Sequence, residues 1–264
     1  MLMGPHEMTL DAVFNWRSLN ATRVVYCFDT LPFQFRWVRS LLARRFDLYF
    51  TSFADAVPLL EPLTRSRWHA AEQAVPIKIF VPAPPGKRVI DFAAYGRRNH
   101  KVHEALLDFC EQRGLYYDFS THACDRAFAT AEQIYRNYAW HLCHVKFAFC
   151  WPVELTSPNR AGGISPFTCR WFEVAAAGAV AVGAVPRAEK FLSYFDGSFV
   201  QTIDDCGSKE SICNQLEALW INRDFLLREA AERRARLLDR LDWSDRVEEM
   251  IKKTESLAVG EPAS

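Results

Sequence analysis

SPNRAGGISPFTCRWFEVAAAGAVAVGAVPRAE, residues 157–189, contains a loop, a helix and a strand in that order. Pro158, Asn159, Gly162 and Gly163 build a loop in which backbone N–H groups are left uncovered. Ser165 reads as the N-cap of the following helix, with Pro166 at its first position, where a missing N–H costs nothing. A helix start behind a glycine-bearing loop offers orphan N–H groups and a partial positive charge, a combination suited to phosphate or diphosphate. Arg170, about one turn in, adds a bidentate cation, and Glu173 stands three residues on, on the same helix face. Small residues, the stop at Gly178 and the apolar run 179–182 then read as a packed helix end feeding a buried strand.

Outward from this stretch, strand and helix patterns alternate along the chain, which points to parallel sheets with crossover helices. Residues 24–29 form a first strand, 33–46 an amphipathic helix with Phe33, Trp37, Leu41 and Leu42 inward, and 47–53 a second strand. A short helix over 54–63 is expected to be interrupted at Pro58, and 67–70 reads as a third strand. Pro76, Pro82, Pro84 and Pro85 mark an extended linker over 74–87. Beyond it, strands are expected at 89–95, 115–119, 144–150 and 198–203. Helices are expected at 100–112, 132–141, 208–220, 223–240 and 244–254. The division is a small unit over residues 1–85, a complete doubly wound unit over 86–258, and a disordered tail over 259–264.

Composition narrows the function classes. Lys plus Arg equal Asp plus Glu at 32 each, so no global field draws the chain to nucleic acid or to a charged membrane. The eight cysteines include no CxxC pair, which fits reduced thiols and a cytoplasmic setting; no run approaches roughly 18 apolar residues, leaving peripheral membrane contact at most. Neither a strand-linked GxGxxG nor a Walker lysine motif occurs, against a dinucleotide oxidoreductase or an NTPase. His122, Cys124, His141, Cys143 and His144 match no standard zinc spacing, no Asp-x-Asp pair is placed for a divalent ion, and no metal or cofactor is expected.

The stretch at 157–189 resembles the nucleotide-sugar site of retaining GT-B fold glycosyltransferases, in the group 1 type of C-terminal domain also seen in spore-maturation-type proteins. The resemblance covers roughly residues 85–240. It implies a GT-B-like α/β fold of two Rossmann-like parallel-sheet units, the first one reduced. By that likeness, Glu173 holds the ribose hydroxyls of a donor nucleotide and Arg170 matches the upstream arginine. The better-known motif carries a second glutamate eight residues earlier, where this chain has Ser165.

Gly96-Arg97-Arg98-Asn99-His100-Lys101 follows the strand at 89–95. The likeness implies that one of Arg97 and Arg98, together with Lys101, meets the donor diphosphate, alongside Gly163 and Ser165. Lys146 is expected to reach the cleft or to hold a structural partner inside its strand. Asp29 ends the first strand and is the candidate for acceptor contact. The function implied is transfer of a sugar from a nucleotide diphosphate donor to a hydroxyl on a glycan, lipid or small metabolite, retaining and metal-independent. The competing reading is a non-catalytic nucleotide-sugar or glycan-binding subunit. A reduced first unit leaves apolar surface, with Phe33, Phe35 and Trp37 as contributors. It therefore predicts self-association, a partner subunit or peripheral membrane contact through residues 1–60.

Overall fold

The computed structural model describes residues 2–3, 22–32, 38, 46–119 and 130–258. A first sheet of four parallel strands runs in the order β1 (Leu2–Met3), β2 (Val24–Cys27), β3 (Leu48–Thr51) and β4 (Trp68–Ala70). Helix α1 (Val57–Thr64) precedes β4. Pro58 does not interrupt it: the residue sits in the first turn, where its missing N–H has no partner to lose. The helix expected over 33–46 lies outside the described residues apart from Val38 and Phe46, both buried beneath this sheet.

A second, five-stranded sheet is also wholly parallel, in the order β6 (Tyr117–Asp118), β5 (Ile90–Ala93), β7 (Val145–Cys150), β8 (Val180–Gly183) and β9 (Val200–Thr202). Helices α2 (His100–Arg113), α3 (Ala131–Cys143), α4 (Cys169–Ala177), α5 (Glu189–Tyr194), α6 (Lys209–Ile221) and α7 (Arg223–Leu241) belong to this unit. Its strands carry unbroken apolar runs such as Val180-Ala-Val, as expected of strands covered on both faces. One face packs α3 and α4 through Leu142, Trp171 and Phe172; the other packs α2 and α6 through Leu106, Phe109, Ile212 and Leu216. The strand order reverses between β6 and β7, so the crevice of this doubly wound sheet opens beyond the carboxyl ends of β5 and β7.

The last helix, α8 (Trp243–Ala258), is sequentially part of the second unit but packs on the first sheet. Trp243, Val247 and Met250 lie against Tyr26, Leu48 and Phe50. A strand order that runs 1-2-3-4 without reversal puts its right-handed crossovers on one face. Helix α8 supplies the apolar cover for the other.

Candidate functional site

Helix α4 begins at Cys169, four residues later than the Ser165–Pro166 signal suggests. Ile164, Ser165, Pro166 and Phe167 are buried outside any helix or strand instead. The Ser165 hydroxyl is no N-cap: it donates to Glu154 and accepts from the Arg187 N–H at 2.8 Å. Thr168 occupies the N-cap position without a side-chain bond, and the first N–H of α4, on Cys169, is taken by the side-chain oxygen of Gln73 from the linker. At the other end Gly178 terminates the helix at φ +59°, and two guanidiniums cover the last carbonyls. Arg88 reaches Ala177 at 2.9 Å and Arg234 reaches Ala176 at 2.6 Å. Cations at this end also complement the helix dipole.

The N-terminal end of α4 points at a cleft of about 130 Å³ at the crevice of the second sheet. Tyr95, Gly96 and Arg97 line it from the end of β5; Phe149, Cys150 and Trp151 from the end of β7; Thr168, Cys169 and Arg170 from the helix start; and Asp29 from the first unit. Gly96 adopts φ +87°, and a Cβ there would lie 3.5 Å from the Arg170 guanidinium, so the turn and the helix start meet as their sequences suggest. Gly183, at φ +138°, passes so close to β7 that a Cβ would fall 2.2 Å from the Cys150 carbonyl oxygen. No other residue fits there.

Arg97 is the electrostatic oddity of the cleft. Burial pushes its guanidinium below the usual arginine value, and the neighbouring Arg170 charge pushes the same way; Asp29 acts in the opposite sense. Its Nε is buried without a hydrogen-bond partner among the described residues. A half-buried cation beside another cation, with one carboxylate nearby, is costly unless an anion joins them.

Asp29 stands at the end of β2 with φ 49°, an uncommon conformation for a residue other than glycine that aspartate tolerates better than most. Its N–H donates to the Ser52 hydroxyl at 3.1 Å, and its carboxylate accepts from Gln73 at 3.0 Å. Gln73, fully buried, thus ties the first unit's carboxylate to the first N–H of α4.

Glu173 lies behind Arg170 and does not line the cleft. It is 4% exposed, accepts from Tyr135 at 3.2 Å on one oxygen and from Tyr138 at 3.0 Å on the other, and faces Arg170 at 3.5 Å. Arg170 also donates to the Tyr138 hydroxyl and rests over its ring at 5.1 Å.

The remaining candidates are placed elsewhere. Arg98 turns to the Phe119 carbonyl and ring, which leaves Arg97 as the arginine of that turn in the cleft. Lys101 is exposed on the first turn of α2. Lys146 does not reach the cleft: it sits near the start of β7, four residues before Cys150, where its ammonium is committed to Asp91 at 2.5 Å and to the face of Trp220 at 5.2 Å. Gly163 (φ +91°) and Ser165 belong to the loop before α4, which touches the first unit: Asp55 accepts weakly from the Ser165 N–H at 3.4 Å and Gly162 packs on Pro32. His122, Cys124, Phe33, Phe35 and Trp37 lie outside the described residues.

Gln73, Tyr135 and Tyr138 are not among the residues the sequence singles out. The i, i+3 spacing of the two tyrosines on one face of α3 was the available signal for the latter pair; Gln73, in an irregular linker, carries none. A larger hollow of about 480 Å³ opens between β4 and α8. Glu249 stands among its lysines 252 and 253, and none of the candidate residues lines it. Among the described residues, Asp204, Asp205 and Cys206 are the one trio spaced to hold an ion, at the end of β9 and outside the cleft. No described helix is long and apolar enough to cross a membrane.

No family model matches the chain, and no curated protein matches it in sequence. Solved structures do. A glycosyltransferase from Rickettsia africae superposes with a TM-score of 0.55 at 8% identity, over 97% of this chain and 76% of that one. HepE of Anabaena, solved with UDP and glucose, superposes with a TM-score of 0.53 at 13% identity, over 85% of this chain and 67% of that one. Two wholly parallel sheets, a crevice at the reversal point of the second and these superpositions establish one conclusion: the chain has the GT-B fold of glycosyltransferases, with a reduced first unit.

Proposed function

We propose that the protein is a glycosyltransferase that transfers a sugar from a nucleotide diphosphate donor to a hydroxyl acceptor. The observation that carries this reading is the pairing of Arg97 and Arg170 at the N-terminal end of α4, two cations in a partly buried crevice that one carboxylate, Asp29, also lines. Such a constellation attracts a diphosphate and stabilises it further as it departs, when its charge grows. That HepE was solved with UDP and glucose in the same fold supports the choice of donor class.

In this mechanism the protein orients rather than reacts. The guanidiniums and the helix start receive the leaving diphosphate, supplying positive charge that a divalent ion would otherwise bring. Glu173 takes the ribose hydroxyls, and Asp29 addresses the acceptor from the first unit. Expulsion of the leaving group and attack of the acceptor on one face of the sugar retain the anomeric configuration and require no protein nucleophile.

Release of nucleotide from UDP-, GDP- and dTDP-sugars by the purified chain tests the reading, with and without EDTA. One donor should be consumed, unaffected by the chelator. Absence of turnover with every donor, together with tight nucleotide binding, is the outcome of the competing reading, a non-catalytic donor-binding subunit. Activity lost on chelation and restored by manganese would overturn the metal-independent step.

A further inference from the structure

The groups assigned to the donor are not free in this structure. Both oxygens of Glu173 are taken by tyrosine hydroxyls, and the Arg170 guanidinium donates to one of those same hydroxyls, that of Tyr138. The Tyr138 ring lies under Arg170 at 5.1 Å and edge-on to Tyr95, a wall of the cleft, at 5.7 Å. The open volume, about 130 Å³, is below the roughly 300–1,000 Å³ of clefts that enclose small-molecule ligands, and it stops short of Glu173. One side chain, Tyr138, therefore bonds an oxygen of Glu173 and the Arg170 guanidinium at once, directly behind a wall of the cleft.

Resting on the nucleotide-sugar reading, we infer that Tyr138 is an internal competitor for the donor nucleotide, its hydroxyl holding the place on Glu173 that a ribose hydroxyl takes. The chemistry of the exchange is balanced. A phenol and a ribose hydroxyl each donate one hydrogen bond to the same carboxylate oxygen. Rotation of Tyr138 away from α4 removes its bonds to that oxygen of Glu173 and to the Arg170 guanidinium together; those two groups still face each other at 3.5 Å, so a ribose hydroxyl takes the vacated bond on the carboxylate while Arg170 gains a donor for the diphosphate. Tyr135 stays on the other oxygen at 3.2 Å and keeps the carboxylate aimed. Tyr138 is half-buried, whereas Glu173 is enclosed, which makes the tyrosine the partner that moves. The two tyrosines, one helical turn apart, thus have opposite roles: Tyr135 positions and Tyr138 competes.

The opposition of sign makes the test selective. Calorimetric titrations with UDP, GDP and dTDP compare the wild type with Tyr138→Phe, which keeps the ring over Arg170 but removes the hydroxyl, and with Tyr135→Phe. Loss of a competing hydrogen bond tightens binding of the best nucleotide by about five- to tenfold in Tyr138→Phe. Tyr135→Phe weakens it. Unchanged or weaker binding by Tyr138→Phe, with the wild type still binding, overturns the competitor role and leaves the donor reading intact. Failure of every nucleotide to bind either protein sinks the donor reading and this inference with it. A second readout uses the unmutated chain labelled with 3-fluorotyrosine. The Tyr138 fluorine resonance, identified by its absence in Tyr138→Phe, shifts on saturation with the nucleotide. A resonance that stays fixed overturns the inference regardless of the affinities.

Discussion

At the scale of single residues, charge and hydrogen-bond chemistry separate the candidates that the sequence could not rank. Arg97 and Arg98 are equivalent as letters; the φ +87° of Gly96 sends the first into the crevice and leaves the second on Phe119. Glu173 and Arg170 were legible because their spacing fixes a shared helix face, whereas Gln73 was not, since its importance comes from two partners 44 and 96 residues away. Asp55 offers a residue-level check of the contact between the first unit and the loop before α4. Burial, the main cause, and the charges of Glu189 and Glu154 raise its carboxyl above the usual value, against a smaller opposing bond from Ser165. A raised carboxyl favours the folded state fully only below the unfolded value of about 3.9, and that contribution is lost as pH rises through the folded value. Asp55→Asn should therefore raise the melting temperature at pH 7 and leave it unchanged near pH 3.5. A loss of stability at pH 7 would show that the ionised carboxylate is a needed partner of Ser165.

At the scale of elements, α4 is held from both ends, and this is where sequence signals were most and least informative. Gly178 as its stop was readable from the αL preference of glycine at a helix end. Its start departs from the local signal, because Ser165 and Pro166 favour a helix start that tertiary structure overrides. The side chain of Ser165 is spent on Glu154 and Arg187, and Ile164 and Phe167 bury in separate cores on either side of it. Arg88 was invisible as a functional support, yet it is 5% exposed and donates to the carbonyls of Val145 and Ala177. Arg88→Ala leaves two buried carbonyls unpaired, and urea unfolding should register a loss of about 2–4 kcal/mol. A loss under about 0.5 kcal/mol would mean that water replaces the guanidinium and that α4 does not depend on it.

At the scale of the molecule, the two-sheet architecture followed from alternating strand and helix patterns, and the crevice from the reversal of strand order. What the pattern could not reveal is the return of α8 to the first sheet, since its stripe of Trp243, Val247 and Met250 names no partner. That return, with Gln73 and the Ser165–Asp55 contact, makes the reduced first unit a wall of the site rather than an appendage. This wall and the second sheet enclose a crevice whose anion site is built on Arg97. That site is tested most directly by calorimetric titration of the wild type and Arg97→Gln with UDP, GDP and dTDP in EDTA. One nucleotide should bind without metal, and the substitution should weaken it at least about tenfold, the scale of one charge-assisted hydrogen bond. Equal affinity in the two proteins, or no binding of any nucleotide by the wild type, would contradict it.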